Sequence, residues 1–383
     1  MKKIGIGMIG CGAMGQAVAR LVLAQSDRVE IVALRDPDPR SINQTLKEIS
    51  PGATVHKNHR DLVNDDRVDW VMIASWNCFH KRHAIAAFEA GKHVFCQKPL
   101  AVNLEDCVAM HKAWKKSGVM FNIGFTLRYA AHYRKIKQLL EQGVVGDVVS
   151  MEFNETLDFN HGGYIMGDWR RLTEYAGTHL LEKCCHDVDL ANWMVGSRAA
   201  RVASFGGLNF FRPENARHIK RIGKDKQGRP PFQSWGGLFN LNPFTSDKDI
   251  VDNQVAIIEF ANGARATFHT NCNAGIIERR MYILGTEGAL RADLATGSIE
   301  TRRVGFDTKI EKAPTGARGG HGGGDPVLAK ELVASMLRGK RPSVGLEEGM
   351  AASLTCFAID RAMETGRVVD VAPAWKRAGL AAK

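Results

Sequence analysis

The segment Gly10-Cys11-Gly12-Ala13-Met14-Gly15 is the first part of the chain whose residue types and spacing can do chemistry. Gly-x-Gly-x-x-Gly suits the pyrophosphate of a dinucleotide. Gly10 permits a tight turn, Gly12 admits phosphate to the backbone, and Gly15 lets a helix pack close to a strand. Ala13 and Met14 belong to the opening of that helix, whose free N–H groups and partial positive charge attract an anion. Asp36 lies 21 residues past Gly15, where a carboxylate accepts the ribose hydroxyls of NAD. Arg35 and Arg40 flank it, and an arginine pairs with a 2′-phosphate, so NADP stays open beside the favoured NAD.

These groups work only if a strand, a turn and a helix hold them. Lys3–Ile9 is a short apolar run, and the segment from Gln16 carries apolar residues at Ala17, Val18, Leu21 and Ala24, spaced as one helix face. Glu30–Leu34 reads as a buried strand before Asp36. The alternation continues with strands at 69–75, 94–96 and 119–123. Helices are expected from His80 to Ala90, with Gly91 at its end, and from Asn103, a plausible N-cap, to Ser117. Such alternation predicts a doubly wound parallel sheet with helices on both faces. Ligands then sit at the carboxyl ends of strands, where Ser75–His80 and Cys96–Leu100 fall. After residue 150, the runs 251–260 and 265–271 are joined by Asn262-Gly263, a hairpin signal.

The chain has 383 residues, 44% hydrophobic and 24% charged. That is ordinary globular composition with length for two or three domains, and it excludes disordered or collagen-like chains. No run of 18 apolar residues predicts a membrane helix. The start, Met1-Lys2-Lys3, imitates a signal peptide, but glycines interrupt the apolar run, so it reads as mature protein. Eight cysteines without a Cys-x-x-Cys pair argue for free thiols in a reducing, cytoplasmic compartment and against a metal site. The formal net charge is +11, and six Lys/Arg against one acid fall between Arg217 and Arg229. Without a nucleic-acid fold motif, this run reads as a solvated loop or the rim of an anionic-ligand site.

Further pieces complete a resemblance: Asn77-x-x-His80, Gln97-Lys98-Pro99-Leu100, Ile123-Gly124-Phe125-x-x-Arg128-Tyr129, Gly146-Asp147-Val148, Trp169-Arg170, Leu181–Asp189 and Gly285–Gly288. With the glycine motif, they make the chain resemble the glucose–fructose oxidoreductase/inositol dehydrogenase (Gfo/Idh/MocA) family over nearly its whole length. The resemblance implies an NAD-binding Rossmann domain over residues 1–127. It also implies a substrate-binding and oligomerisation α/β domain over 128–383, built on an open, mostly antiparallel sheet that often forms a homodimer or homotetramer interface. The implied activity is NAD-dependent oxidation of a secondary hydroxyl on a sugar, sugar derivative or cyclitol.

By motif, the resemblance assigns the catalytic positions to Lys98 and His186, with Glu182 standing where the family has aspartate. Histidine suits proton removal because its pKa lies near working pH. A lysine ammonium stabilises a developing alkoxide. The i, i+4 spacing puts Glu182 and His186 on one helix face, while Lys183 and Asp187 point elsewhere. Gln97 replaces the usual glutamate and loses its charge. Asn77, His80, Gln97, Lys98, Trp169 and Arg170 are implied cofactor neighbours. Lys98, Arg128, Glu182, His186 and His321 are implied substrate neighbours. His80 is equally the first turn of a helix, and Trp169 equally a core aromatic.

The run Gly319–Gly324 around His321 reads as a flexible loop, followed by Asp325 as N-cap and Pro326 as the first residue of a helix over 327–337. The segment 205–252 reads as an aromatic, basic insertion that shapes substrate choice or an oligomer contact. A second reading keeps the cofactor but changes the net reaction. Transient oxidation of a ring carbon, elimination and water addition would cleave a glycoside, and the basic run would suit an anionic one. A third, a dinucleotide sensor without catalysis, conflicts with Lys98 and His186 standing together.

Overall fold

The computed structural model describes residues 3–233, 238–316 and 321–380. Two compact units account for them: Met1–Ala130 with Arg318–Ser353, and Ala131–Ala317 with Leu354–Lys383.

The first unit holds a six-stranded sheet of β1 (Ile4–Ile9), β2 (Val29–Arg35), β3 (Thr54–Val55), β4 (Trp70–Ile73), β5 (His93–Cys96) and β6 (Phe121–Ile123). Their order is β3-β2-β1-β4-β5-β6, and every pair is parallel. The order reverses between β1 and β4, the position at which such sheets open a ligand crevice. Helices α1 (Ala13–Leu23), α2 (Pro39–Glu48), α3 (His59–Val63), α4 (His80–Glu89) and α5 (Leu104–Ser117) complete the alternation. Asn103 caps α5 by accepting the Asp106 N–H at 2.8 Å, and Gly91 follows α4 in the left-handed conformation.

Three details differ from the sequence expectation. The buried stripe of α1 is Gly15, Gln16, Val18, Ala19 and Val22; Ala17 and Ala24 face outward. Short residues spaced at 15, 18, 19 and 22 allow closer packing than the larger Leu21. Next, residues 318–353 join this unit rather than the one beginning near 128. Gly324 permits that docking: a Cβ there would stand 2.3 Å from the Thr126 carbonyl oxygen. Tyr129 also donates to Glu331 at 2.8 Å. Finally, the helix spans Gly324–Arg338, with Gly323 and not Asp325 at its N-cap. Asp325 instead lies in the first turn and pairs with His321, Nδ1 to Oδ2 2.9 Å. Pro326 takes the third helical position, where a missing N–H costs no intrahelical bond. Gly319 and Gly320 lie outside the described residues.

In the second unit, α6 (Ala131–Glu141), α7 (Phe159–Gly167), α8 (Thr173–Ala176), α9 (His179–Val195) and α10 (Arg217–Ile222) accompany a nine-stranded sheet. Its strands run β7 (Val148–Thr156), β8 (Ala199–Gly207), β9 (Asn253–Phe260), β10 (Arg265–Asn271), β11 (Arg280–Gly285), β12 (Gly288–Asp293), β13 (Ser298–Arg303), β14 (Glu311–Lys312) and β15 (Val369–Asp370). Their order is β14-β13-β12-β11-β7-β10-β9-β8-β15. Only β7 and β10 pair in parallel among them. The Asn262-Gly263 turn joins β9 to β10 as an antiparallel hairpin, Gly263 having φ 87°. α9 is buried along most of its length and packs on β7. The opposite sheet face exposes Phe205, Val255, Ile257, Tyr282 and Leu284.

The insertion-like segment packs on α7. Phe211, Phe232, Phe244 and Ile250 form a buried cluster with Leu157, Ile165, Met166 and Cys272. Gly162 and Gly163 permit the approach. A Cβ on the first would lie 1.9 Å from the Cys272 carbonyl oxygen, and on the second 2.2 Å from that of Phe232. The basic side chains of α10 remain outside this cluster.

Candidate functional site

In the first unit, the expected cofactor residues converge on the carboxyl edge of the sheet. β1 ends at Gly10, whose φ of 94° and lack of Cβ let the turn pass against Ala74. Gly15 lies over the Gly10 carbonyl, where a Cβ would stand at 2.2 Å. A Cβ on Gly12 would meet nothing within 4 Å. Gly12 is also the N-cap of α1 and provides no side-chain cap. Ala13 and Met14 are exposed in the first turn. An uncapped helix start beneath open space fits a pyrophosphate.

Asp36 is fixed to this loop. Its Oδ2 accepts the Cys11 N–H at 2.6 Å and its Oδ1 the Asp38 N–H at 2.8 Å. Arg40 turns onto Asp38, Nε to Oδ1 3.1 Å, leaving the charge of Asp36 to other partners. Burial, followed by the charge of Asp36, pushes the Cys11 thiol up to about 12, so it stays protonated.

The two segments singled out after β4 and β5 lie on the same edge. The Gln97 N–H bonds to the Ile73 carbonyl, and the Gly124 N–H to that of Cys96. The Gln97 amide lies over Gly124, whose Cβ would stand 2.6 Å from Oε1. Lys98 follows, half-buried, and the Lys98–Pro99 bond is cis. Asn77 is buried in a 3₁₀ turn before α4. His80 opens α4 and is 0% exposed. Its Nδ1 lies 2.8 Å from the Pro99 carbonyl and its Nε2 3.0 Å from that of Ser75. The ring therefore ties the two segments together, which is the helix-start alternative with a contact that sequence did not foresee. Arg128, in the 3₁₀ turn Thr126–Tyr129, and His321 also belong to this unit.

In the second unit, α9 carries Glu182 and His186, both buried. Thr178 begins the helix by accepting the Leu181 N–H at 3.2 Å and donates to Asp360 at 2.6 Å. Arg170 donates from Nε to Glu182 Oε1 at 3.1 Å and from Nη1 to the Tyr164 hydroxyl at 2.7 Å. Its guanidinium also lies 4.4 Å from the Trp169 ring centre. Burial is the strongest influence and works against that charge, but Glu182, Tyr164 and Asp168 together outweigh it, holding Arg170 above its ordinary pKa.

The adjacent face of α9 turns inward. Lys183 pairs with Glu155 on β7 at 3.2 Å. Arg279 bonds Asp187 through Nε and Nη2 at 2.8 and 2.6 Å, and Glu155 through Nη1 at 3.0 Å. Burial pushes Asp187 up to about 7 against the pull of Arg279, with Glu155 adding to the rise. Glu155, Cys184 and Asp187 present donor atoms within 4.8 Å of one another. Two protein cations already balance those carboxylates.

Sequence reasoning left out His161, Tyr164, Glu155 and Arg279. His161 lies among Lys183, Glu155, Glu182 and His179; burial first, then the Lys183 charge, lowers its pKa to about 2. No local motif marks these residues. The Gly162-Gly163 pair was the one available signal, because two glycines inside a helix mark close backbone approach.

The family model described as the oxidoreductase family NAD-binding Rossmann fold matches residues 4–125, and the family's C-terminal alpha/beta domain matches 137–371. The chain is 34% identical over 196 residues to an inositol 2-dehydrogenase of Gluconacetobacter diazotrophicus, spanning 50% of this chain and 54% of that protein. It is 27% identical over 309 residues to the 2,7-anhydro-N-acetylneuraminate hydratase of Escherichia coli, spanning 80% and 72%. The solved structure of a levoglucosan dehydrogenase with NADH and levoglucosan superposes with a TM-score of 0.78 at 21% identity, covering 97% of this chain and 100% of that one. With both domain models matched in order along the sequence, the chain belongs to the Gfo/Idh/MocA oxidoreductase family and carries its NAD-binding Rossmann unit.

Proposed function

We propose that the protein is an NAD-dependent dehydrogenase acting on a secondary hydroxyl of a sugar, sugar derivative or cyclitol. The observation that carries this reading is the placement of Lys98. It stands on the same carboxyl edge of the first sheet as the open, uncapped start of α1. An anion-binding helix start and a proton-handling side chain are what hydride transfer from an alcohol needs. The inositol 2-dehydrogenase relative supports the substrate class.

NAD, when bound, supplies the hydride acceptor. Gly10, Gly12, Ala13, Met14 and Gly15 would hold its pyrophosphate, and Asp36 would receive ribose hydroxyls. Asn77 and Gln97 would line the cofactor, His80 would act through the turn it ties, and Trp169 and Arg170 are proposed as its further neighbours. Lys98 hydrogen-bonds the reacting hydroxyl and stabilises the alkoxide that develops on it. His186 accepts the hydroxyl proton. Glu182, neutralised by Arg170, binds a substrate hydroxyl or orients His186. Arg128 and His321 contribute to substrate recognition.

Proton NMR in deuterated water tests this, with enzyme, stoichiometric NAD and a panel of inositols, aldoses, sugar acids and simple glycosides. The dehydrogenase reading expects NADH together with a keto-sugar or lactone. The hydratase relative favours a second reading, transient oxidation with elimination and water addition. That reading expects conversion without NADH accumulation and deuterium at the carbon beside the oxidised one.

The protein is also proposed to assemble as a homodimer or homotetramer through the open face of the second sheet, where Phe205 is 71% and Ile257 58% exposed. Apolar faces of that kind are covered in the working assembly. Sedimentation of the wild type against Ile257→Lys decides this: a monomeric wild type contradicts it. No helix among the described residues is long and apolar enough to cross a membrane. All eight cysteines are free thiols, which supports a reducing, cytoplasmic setting.

A further inference from the structure

His80 ties together the two segments that follow β4 and β5. It is completely buried, at the first position of α4. Its Nδ1 lies 2.8 Å from the carbonyl oxygen of Pro99, and its Nε2 lies 3.0 Å from that of Ser75. Carbonyl oxygens only accept, so each contact needs a proton on the ring nitrogen that makes it. One side chain thus spans the end of β4 and the turn after β5 that carries Lys98.

We infer that His80 is a positioning residue for Lys98, with Nδ1–H donating to the Pro99 carbonyl and so fixing the turn from which the Lys98 side chain departs. The inference rests on the proposed role of Lys98. Pro99 has no N–H, so its carbonyl is the one polar backbone group that this residue offers. The shorter of the two contacts, from Nδ1, is the one to Pro99. Burial foremost, and also the Lys98 charge, lowers the ring's pKa, while the two carbonyls raise it. The shorter contact, to Pro99, places a ring proton on Nδ1 whether or not Nε2 also carries one. A turn that shifts by about 1 Å costs up to about 100-fold in turnover, because the reacting groups lose their alignment.

The two amide replacements of histidine separate this role from simple core filling. In His80→Asn, the amide nitrogen occupies the region of Nδ1 and still donates to Pro99. In His80→Gln, the amide reaches toward the place of Nε2 and serves Ser75 instead. On the substrate found by the NMR panel, His80→Asn is expected to keep kcat within about threefold of wild type, and His80→Gln to lose about 10- to 100-fold. Equal kcat losses in the two variants, or no loss in either, overturn the inference. Nitrogen NMR of the wild type, labelled at histidine, gives a check that needs no variant to fold. A protonated Nδ1 on His80 supports the inference, and a neutral ring with its proton on Nε2 overturns it. Lys98→Ala keeps the two claims apart. If it retains full turnover, the role of Lys98 fails; if it abolishes turnover while His80→Gln is unaffected, only the positioning role of His80 fails.

Discussion

Arg170 and Glu182 form a direct ion pair, Nε to Oε1 at 3.1 Å, with their side chains 22% and 9% exposed. The pair joins the 3₁₀ turn Trp169–Arg171 to the face of α9 that also carries His186. Replacing Arg170 by Gln leaves the Glu182 carboxylate buried without its cation. Breaking a buried pair from one side costs about 3 kcal/mol or more. Arg170→Gln is expected to lower stability in urea by about that amount, and Arg170→Lys to recover only part of it, because an ammonium lacks the fork that reaches both Glu182 and the Tyr164 hydroxyl. Unchanged denaturation midpoints in both variants would show that the pair is energetically idle.

Asp360 makes stability depend on pH. Burial pushes its carboxyl up to about 7, while its bonds from Thr178 and Gln254 pull the other way. A carboxyl with a raised folded pKa holds a proton in the folded chain that the unfolded chain releases near pH 4. The folded state thus binds more protons between about pH 4 and 7, and stability falls as pH rises through that window, on the order of 4 kcal/mol in all. Asp187, raised in the same direction, adds to the trend. Asp360→Asn keeps the shape and removes the titration. Its stability from pH 5 to 8 is expected to vary less than that of the wild type. Equal slopes would contradict the assignment.

Asp36 acts on the cofactor in two ways. Its charge favours ribose hydroxyls over a phosphate, and its bond from the Cys11 N–H shapes the glycine turn. Loss of a charged acceptor costs about 1.5–3 kcal/mol. Asp36→Ala is therefore expected to weaken NAD binding about 10- to 100-fold by calorimetry and to narrow the gap between NAD and NADP. NAD affinity equal to wild type would remove Asp36 from the cofactor set.

Local patterning made the first unit legible. Gly10, Gly12, Gly15 and Asp36 are ordered by neighbours within one strand–turn–helix–strand piece, so their spacing carries their geometry. Of the four residues expected on the inner face of α1 only Val18 is buried, because the stripe runs through Gly15, Gln16, Ala19 and Val22 instead. The cap at Asp325 was misread because His321, four residues earlier, draws its carboxylate away from the helix end. Around α9, the helix face of Glu182 and His186 followed from period alone, as did the turning away of Lys183 and Asp187. Their partners did not: Glu155 arrives from β7 and Arg279 from the residue before β11, and no local pattern records that approach. The fit of Phe211, Phe232, Phe244 and Ile250 onto α7 was equally unreadable, since it rests on Gly163 meeting the distant Phe232 backbone.

Gly163 gives that fit a direct test. A methyl group there would meet the Phe232 carbonyl oxygen at 2.2 Å, so Gly163→Ala must displace α7 or the segment above it. Overpacking of this kind costs about 1–3 kcal/mol. The variant is expected to melt at lower temperature and to expose the 208–250 segment to limited proteolysis first. A wild-type digestion pattern and melting point would show that the segment is not held by this contact.

The central claim is that Lys98 handles the reacting hydroxyl beside bound NAD. The most direct measurement is turnover by Lys98→Ala on the substrate found by the NMR panel, alongside its NAD affinity. A loss of kcat of about 100- to 1,000-fold, the usual scale for removing one donor to a developing oxyanion, with NAD affinity retained, is the predicted result. Undiminished turnover with NAD still bound would contradict the account.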